Sequence, residues 1–255
     1  MGLRFASLGS GSSGNGTLVE CGRTRILMDC GFNLADTAER LARRGLVPAD
    51  LAAIVVTHEH TDHLGGVPRF AKRHAIPVYL TRGTALSLPL DFPASLVRFI
   101  DPHTAFAVDD LQVDPVAVPH DAREPVQYVF SDGAVRLGVV TDLGCTTPHV
   151  EERLSGVDAL VLECNHDLEM LRAGSYPWPL KQRISGRFGH LDNSQSGDLL
   201  SRLDRSKLKH LVAAHLSKEN NTPALAMAAL AGAAGCETSW IGVASQETGF
   251  DWREI

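Results

Sequence analysis

The sequence has little that would carry a chain into a membrane, out of a cell or onto a polyanion by bulk charge. No apolar run approaches the ~18 residues of a membrane span, so no membrane partner is expected. Met1-Gly2-Leu3-Arg4-Phe5 lacks the basic start and long apolar stretch of a secretory signal. Cysteine is sparse: the five residues, at positions 21, 30, 145, 164 and 236, form no C-x-x-C pair. That odd, scattered set reads as reduced thiols in a cytoplasmic protein. Lysine and arginine number 24 against 30 aspartates and glutamates, and the net charge of −6 argues against a strongly basic nucleic-acid coat. A local basic patch stays open. The chain has no internal repeat of about 20–50 residues and no low-complexity linker.

What is present suits a globular chain with a substantial core: 255 residues, 44% hydrophobic and 21% charged. Near the start, Gly9-Ser-Gly-Ser-Ser-Gly14 fits the G-x-G-x-x-G pattern of a dinucleotide-binding loop. That loop works only with a strand before it and a helix after it, so that a helix N-terminus faces the pyrophosphate. Leu3 to Leu8 supplies the strand, but Asn15-Gly16 followed by Thr17-Leu-Val is a hairpin signal. A hairpin leaves no helix to receive phosphates, so no dinucleotide is expected.

Further along, residues 23–31 read as a third strand. Residues 33–45 read as a helix opened by Asn33 and closed by Gly45. Leu51 to Thr57 is a continuous apolar run suited to a strand buried on both faces. Leu64 to His74 reads as one helix and residues 77–80 as a strand. Short stretches at 111–118, 127–130, 135–140, 159–163 and 208–214 are further strands, and the alanine-rich segment 223–234 is a helix. Two strand-rich halves with covering helices make an α/β chain of two sheets packed between helices.

The decisive segment follows the apolar run: Thr57-His58-Glu59-His60-Thr61-Asp62-His63. Three histidines and an aspartate this close are poorly explained by packing. A loop leaving a buried strand fixes the backbone while freeing alternate side chains to converge. In extended backbone His58 and His60 point the same way and can chelate one ion, while Asp62 and His63 turn towards a second. Imidazole mixed with carboxylate suits zinc, manganese or iron.

His58-x-His60-x-Asp62-His63 after an apolar strand resembles the signature of the metallo-β-lactamase-fold hydrolases, and the likeness spans nearly the whole chain. His120 in Val-Pro-His120-Asp matches the family's third histidine. Asp142 in Val-Val-Thr-Asp142 matches its bridging aspartate, and His215 in Ala-Ala-His215-Leu its last-strand histidine. The resemblance implies one domain over residues 1–255, folded as a four-layer αββα sandwich of two mixed β-sheets flanked by helices. It also implies two divalent ions per chain, zinc or manganese. His58, His60 and His120 would hold one, Asp62, His63 and His215 the other, and Asp142 would bridge them. The glycine-serine turn would then lie beside the metal site. There Ser10, Ser12, Ser13 and Asn15 would offer hydrogen bonds to a phosphate, or simply make a tight turn.

Two cations sharing a water lower its pKa from ~15.7 towards ~7 and neutralise charge developing on a phosphoryl or carbonyl oxygen. Asp62 would also orient that nucleophile. Residues 175–187 gather Lys181, Arg183 and Arg187 near Tyr176 and Trp178, which suits phosphate contact and base stacking. A solvated loop leading into a helix is the plainer reading. His190 is expected as general acid to the leaving oxygen, with phosphate binding or a structural role as alternatives, and Asn193 as a substrate contact. Glu163 to Asp167 is polar enough to stand behind the ligands.

The stretches SLGSGSSGNGTLVE, THEHTDHLGG, ECNHD, GHLDNSQSG and AHLSKENN resemble one branch of that family. It comprises compact bacterial phosphodiesterases described as 5′-to-3′ DNA exonucleases or cell-wall-regulon hydrolases. This implies phosphodiesterase or exonuclease action on nucleic acid, with duplex DNA among the substrates. The roughly 70 residues between Asp142 and His215 leave no room for an inserted clamping domain, so nucleic acid would meet a shallow or oligomer-built groove. Two other chemistries of the fold stay open at this level: thioester or lactone hydrolysis, and a mononuclear-iron persulfide dioxygenase. Neither oligomeric state nor the choice between DNA, RNA and a small phosphodiester follows from these residues.

Overall fold

The computed structural model describes residues 2–255. Strands β1 (Leu3–Gly9), β2 (Gly16–Cys21) and β3 (Thr24–Met28) form an antiparallel meander. β4 (Ala53–Val55), β5 (Val78–Leu80) and β6 (Val97–Phe99) extend it in parallel. The second sheet opens with β7 (Phe106–Val108), β8 (Leu111–Ala117) and β9 (Val126–Ser131), which run antiparallel into β10 (Arg136–Val140). β11 (Ala159–Glu163), β12 (His210–Ala214) and β13 (Gly242–Val243) follow in parallel. β14 (Phe250–Glu254) then returns to pair with β1, so each sheet has seven strands.

Period-two alternation with both faces apolar makes this a sandwich. Leu3, Phe5, Val19, Ile26, Met28 and Val55 face Val113, Tyr128, Phe130, Val139 and Val161 of the other sheet. Their neighbours Ala6, Leu8, Leu18, Leu27 and Ile54 point outward, where α1 (Leu34–Arg43) and α3 (Val67–His74) cover them with Leu41, Val67, Phe70 and Ala71. Between those helices lies the single turn α2 (Thr61–Leu64), and α4 (Arg82–Ala85) follows β5. On the opposite face α5 (Pro148–Leu154), α8 (Asn193–Arg202) and α9 (Pro223–Ala234) pack Val150, Leu154, Leu199, Leu200 and Leu230 on the second sheet. The short helices α6 (Leu168–Ala173) and α7 (Trp178–Ile184) lie between β11 and α8 in the chain. No helix among the described residues is long and apolar enough to cross a membrane.

The single helix expected over residues 64–74 is two helices broken at Gly65-Gly66. A Cβ on Gly66 would stand 1.9 Å from the Phe32 carbonyl oxygen, and one on Gly31 only 1.8 Å from that of Asp62. The turn after β3 and the α2–α3 corner therefore touch backbone to backbone, and the glycines that permit this also end the helix. The apolar run 51–57 shortens to three strand residues because Thr57 already belongs to the ligand loop. Asn33 caps α1 as expected, accepting from the Asp36 amide.

Candidate metal centre and cleft

The ligand-bearing loops leave the sandwich after β4, β8, β10 and β12. His58 and His60 lie in the stretch after β4, and α2 winds at once so that Asp62 and His63 come off one turn. Ligand atoms of His58, His60 and His120 lie within 4.8 Å of one another, as do those of Asp62, His63 and His215. Asp142 forms a third such group with His58 and His63. All seven residues expected as ligands thus meet in one cluster drawn from both sheets.

Each imidazole is held by the ring nitrogen turned away from its neighbours. His58 Nδ1 lies 2.9 Å from the Thr57 hydroxyl, and His63 Nδ1 2.8 Å from Asp29 Oδ2. His60 Nε2 donates to the Asp121 carbonyl at 3.2 Å and His120 Nδ1 to the Gly189 carbonyl at 3.0 Å. His215 Nδ1 stands 3.3 Å from Glu163 Oε1. Such outer bonds fix the ring and its tautomer, leaving the other nitrogen for a cation. His58 is 0% exposed, yet its Nε2 finds no hydrogen-bond partner among the described residues. A buried, unpaired imidazole nitrogen is costly in a finished apolar core and ordinary at a metal site.

The electrostatics point the same way. Burial opposes charge on His63, but Asp142, Asp29 and Asp62 hold its pKa well above the ordinary value. Burial likewise opposes charge on His215, yet Asp142, Asp62 and Glu163 lift it to about 10. Burial and the neighbouring imidazoles drive His58 well below the ordinary value, despite the pull of Asp142. The buried carboxylates thus demand positive charge at the cluster, which divalent ions satisfy without protons. Three of the corners involved, Asp29, Asp142 and His215, are held at φ of +62°, +60° and +55°. Non-glycine residues rarely turn there, and the arrangement concentrates at functional sites.

The N-terminal glycine-serine loop braces this cluster. Asn15 Oδ1 accepts from the Gly11 amide at 2.8 Å and the Ser10 hydroxyl at 3.2 Å. Its Nδ2 donates to Asp62 Oδ2 at 3.2 Å and lies 3.0 Å from His63 Nε2. Ser10 Oγ in turn accepts from the His215 amide at 3.0 Å. The amides of Ser10, Ser13, Gly14 and Asn15 are likewise committed inside the protein. Asn15 and Ser10, expected on a phosphate, instead bond to Asp62, His63 and the His215 amide, and only Ser12 of the loop faces the cleft. No helix follows the glycines, in agreement with the hairpin reading.

Glu163 organises the far side. Its carboxylate accepts from the amides of Asp142, Leu143 and Leu191 at 3.1, 2.9 and 3.0 Å. It also stands 2.8 Å from His190 Nδ1. Burial works against a charged carboxylate, but His190 and His215 pull Glu163 down to about 2. The cleft above these groups has a volume of about 420 Å³ and is walled by Ser12, Glu59, Asn165, Tyr176, Arg183 and Ser217.

Two further residues expected on the substrate are elsewhere. The Lys181 ammonium donates to the carbonyls of Arg172 and Gly174, both at 2.7 Å, and so caps the end of α6. The Asn193 carboxamide is buried in α8, exchanging hydrogen bonds with that of Asn221 at 3.0 and 2.9 Å. Arg183 does reach the cleft wall, its Nε 2.5 Å from Asp121 Oδ2. Trp178 and Arg187 lie exposed. Asp29 is also at the cluster, bonded to His63 and Thr57. Its only signal in the sequence is a charge at the end of the apolar run Ile26-Leu27-Met28.

A family model described as a beta-lactamase superfamily domain matches residues 24–215. The exodeoxyribonuclease YycJ of Bacillus anthracis is 34% identical over 229 residues, spanning 89% of this chain and 87% of that protein. The exodeoxyribonuclease WalJ of Streptococcus pneumoniae is 33% identical, spanning 89% and 86%. Among solved structures, the metallo-beta-lactamase fold protein YhfI of Bacillus subtilis superposes with a TM-score of 0.75 at 16% identity, covering 99% of each chain.

Proposed function

The chain belongs to the beta-lactamase superfamily and is a metal-dependent hydrolase of its nuclease and phosphodiesterase branch, and from that premise we propose that it removes nucleotides from the end of a DNA strand. His58, His60 and His120 would hold one divalent ion, Asp62, His63 and His215 a second, with Asp142 between them. Zinc and manganese both accept this mixed donor set. When bound, the ions supply Lewis acidity that activates water and neutralises charge on the phosphoryl oxygens. Asp62, steadied by Asn15, is at the cleft to orient the attacking water.

The observation that carries the reading is His190, held by the buried Glu163 at 2.8 Å and lining a cleft that also holds Asp62, Asp142 and His215. With Nδ1 committed to Glu163, the other ring nitrogen of His190 is available to hand a proton to a departing alkoxide. A sugar hydroxyl is a poor leaving group, so this proton matters for DNA. Arg183 and the Ser12 hydroxyl supply phosphate contacts. A cytoplasmic setting is supported by five cysteines, all unpaired.

The test is metal content by mass spectrometry of purified protein, alongside turnover of bis-p-nitrophenyl phosphate and end-labelled DNA with zinc or manganese. About two ions per chain with release of mononucleotides is the expected result. One iron per chain with no phosphodiester cleavage would overturn it.

A further inference from the structure

Beside the main cleft lies a smaller chamber of about 220 Å³ that shares Ser12, Tyr176, Arg183, Ile184 and His190 with it, so the two are continuous. The chamber differs in its lining: Asp62, Asp142 and His215 line the main cleft and are absent from the chamber wall. In their place stand Leu180 and Gly189, from α7 and the loop before α8, with Asp121 beside them. Its wall is therefore apolar and aromatic on the α7 side, through Tyr176, Leu180 and Ile184, and polar at the mouth.

On its Gly189 side the chamber is walled off by backbone. A Cβ on Gly189 would stand 2.2 Å from the carbonyl oxygens of both Arg183 and Ile184. The end of α7 and the loop carrying His190 are thus pressed together, and the Gly189 amide donates to Gly186 while that of His190 donates to Ile184, both at 2.8 Å. A polynucleotide cannot run on through that seam.

We propose that this side chamber, walled off at Gly189, receives the departing terminal nucleotide, its base against Tyr176, Leu180 and Ile184, and that it is what confines the enzyme to strand ends. The inference rests on the phosphodiesterase reading above. His190 lines both cleft and chamber, so a nucleotide seated in the chamber carries its leaving oxygen past the imidazole that protonates it. Water adds its oxygen to phosphorus, and the bond from phosphorus to the terminal nucleotide's oxygen breaks. The proton from His190 goes to that oxygen, and the proton lost by water restores the pair.

The size suits one nucleotide's base and little more, since pockets for whole drug-sized ligands run to about 300–1,000 Å³. Tyr176 is half-buried and gives a π-face that any base can use, which predicts weak sequence preference. Arg183 commits its Nε to Asp121, while its terminal nitrogens have no partner among the described residues and its side chain is 60% exposed. Those nitrogens are placed to take the nucleotide's own phosphate at the chamber mouth.

The experiment is a binding measurement that does not depend on turnover. Deoxyadenosine 5′-monophosphate and deoxyribose 5-phosphate are titrated calorimetrically into zinc-loaded protein, wild type and Leu180→Trp, with Ile184→Trp as a second way to fill the chamber. The nucleotide should bind wild type at least about tenfold more tightly than the sugar phosphate, through the stacked base. In a tryptophan variant with a native circular dichroism spectrum that advantage should shrink to under about threefold. Equal affinity of the two ligands for wild type overturns the proposal, as does an undiminished advantage in a folded variant. Hydrolysis of bis-p-nitrophenyl phosphate by the same wild-type sample reports separately on the phosphodiesterase reading, so loss of one conclusion is not mistaken for loss of the other.

Discussion

Glu163 grips His190 through a carboxylate oxygen 2.8 Å from the imidazole Nδ1, and the same oxygen lies 3.3 Å from His215 Nδ1. One buried charge therefore orients both the proposed proton donor, His190, and a proposed metal ligand, His215.

If His190 protonates the leaving oxygen, its loss should depend on how much help that oxygen needs. His190→Ala should lower kcat on DNA by about 10²–10³-fold. Turnover of bis-p-nitrophenyl phosphate, whose nitrophenolate departs unaided, should fall far less. Equal losses on the two substrates would assign His190 to binding or structure.

The same pair makes a pH prediction. Burial disfavours a charged His190, but Glu163, 2.8 Å away, and Asp142, 3.6 Å away, raise its pKa above the ordinary value despite repulsion from His215. Glu163→Gln removes the nearer charge, so His190 gives up its proton at lower pH. The alkaline limb of the kcat profile on DNA should move to lower pH, and an unmoved limb would dissociate the pair from the rate.

Asp29 should control metal affinity without touching substrate. Its Oδ2 lies 2.8 Å from His63 Nδ1 and accepts from the Thr57 hydroxyl at 3.0 Å, while Oδ1 accepts from the Thr57 amide at 2.9 Å. Asp29→Asn should weaken zinc binding by about 10–100-fold in competition with a chromogenic chelator. Unchanged affinity would make the contact purely structural.

Arg183 and Lys181, two residues apart in sequence and alike in charge, should separate cleanly. Arg183→Ala should raise KM for DNA and flatten its salt dependence by about one unit of slope, with a smaller effect on the chromogenic ester. Lys181→Ala should leave that slope alone and cost about 1 kcal/mol in urea unfolding, from the lost bonds to the Arg172 and Gly174 carbonyls.

The thiols should divide by burial. Cys30 and Cys164 are buried, and desolvation pushes both up to about 12. Iodoacetamide at neutral pH should modify Cys236, which is exposed, and spare those two until the protein unfolds. Mass spectrometry of the native digest checks this.

The clustering of the residues expected as metal ligands was legible because their spacing is local or strand-linked. His58 to His63 lie in one loop, and His120, Asp142 and His215 each follow a recognisable apolar stretch. The two-sheet sandwich followed from the alternation and the covering helices. What stayed hidden depends on contacts that only the folded chain creates. Asp29 meets His63 across the β3–β4 pairing, 34 positions away in sequence. Asn15 has the same donors whether it faces a phosphate or Asp62, and only the hairpin register decides. Lys181 reads as a phosphate contact because composition cannot say which way α7 turns it, and Asn193 as a substrate contact because its partner Asn221 is 28 residues distant.

The left-handed corners at Asp29, Asp142 and His215 set stability and activity against each other. A glycine would relax any of these turns, at a saving of roughly 1 kcal/mol or more per position, while deleting a side chain the cluster needs. Directed evolution for heat resistance in metal-free protein should therefore drift towards glycine at these three points and yield sturdier, silent molecules. Only selection with catalysis in the assay would keep the uncomfortable residues in place.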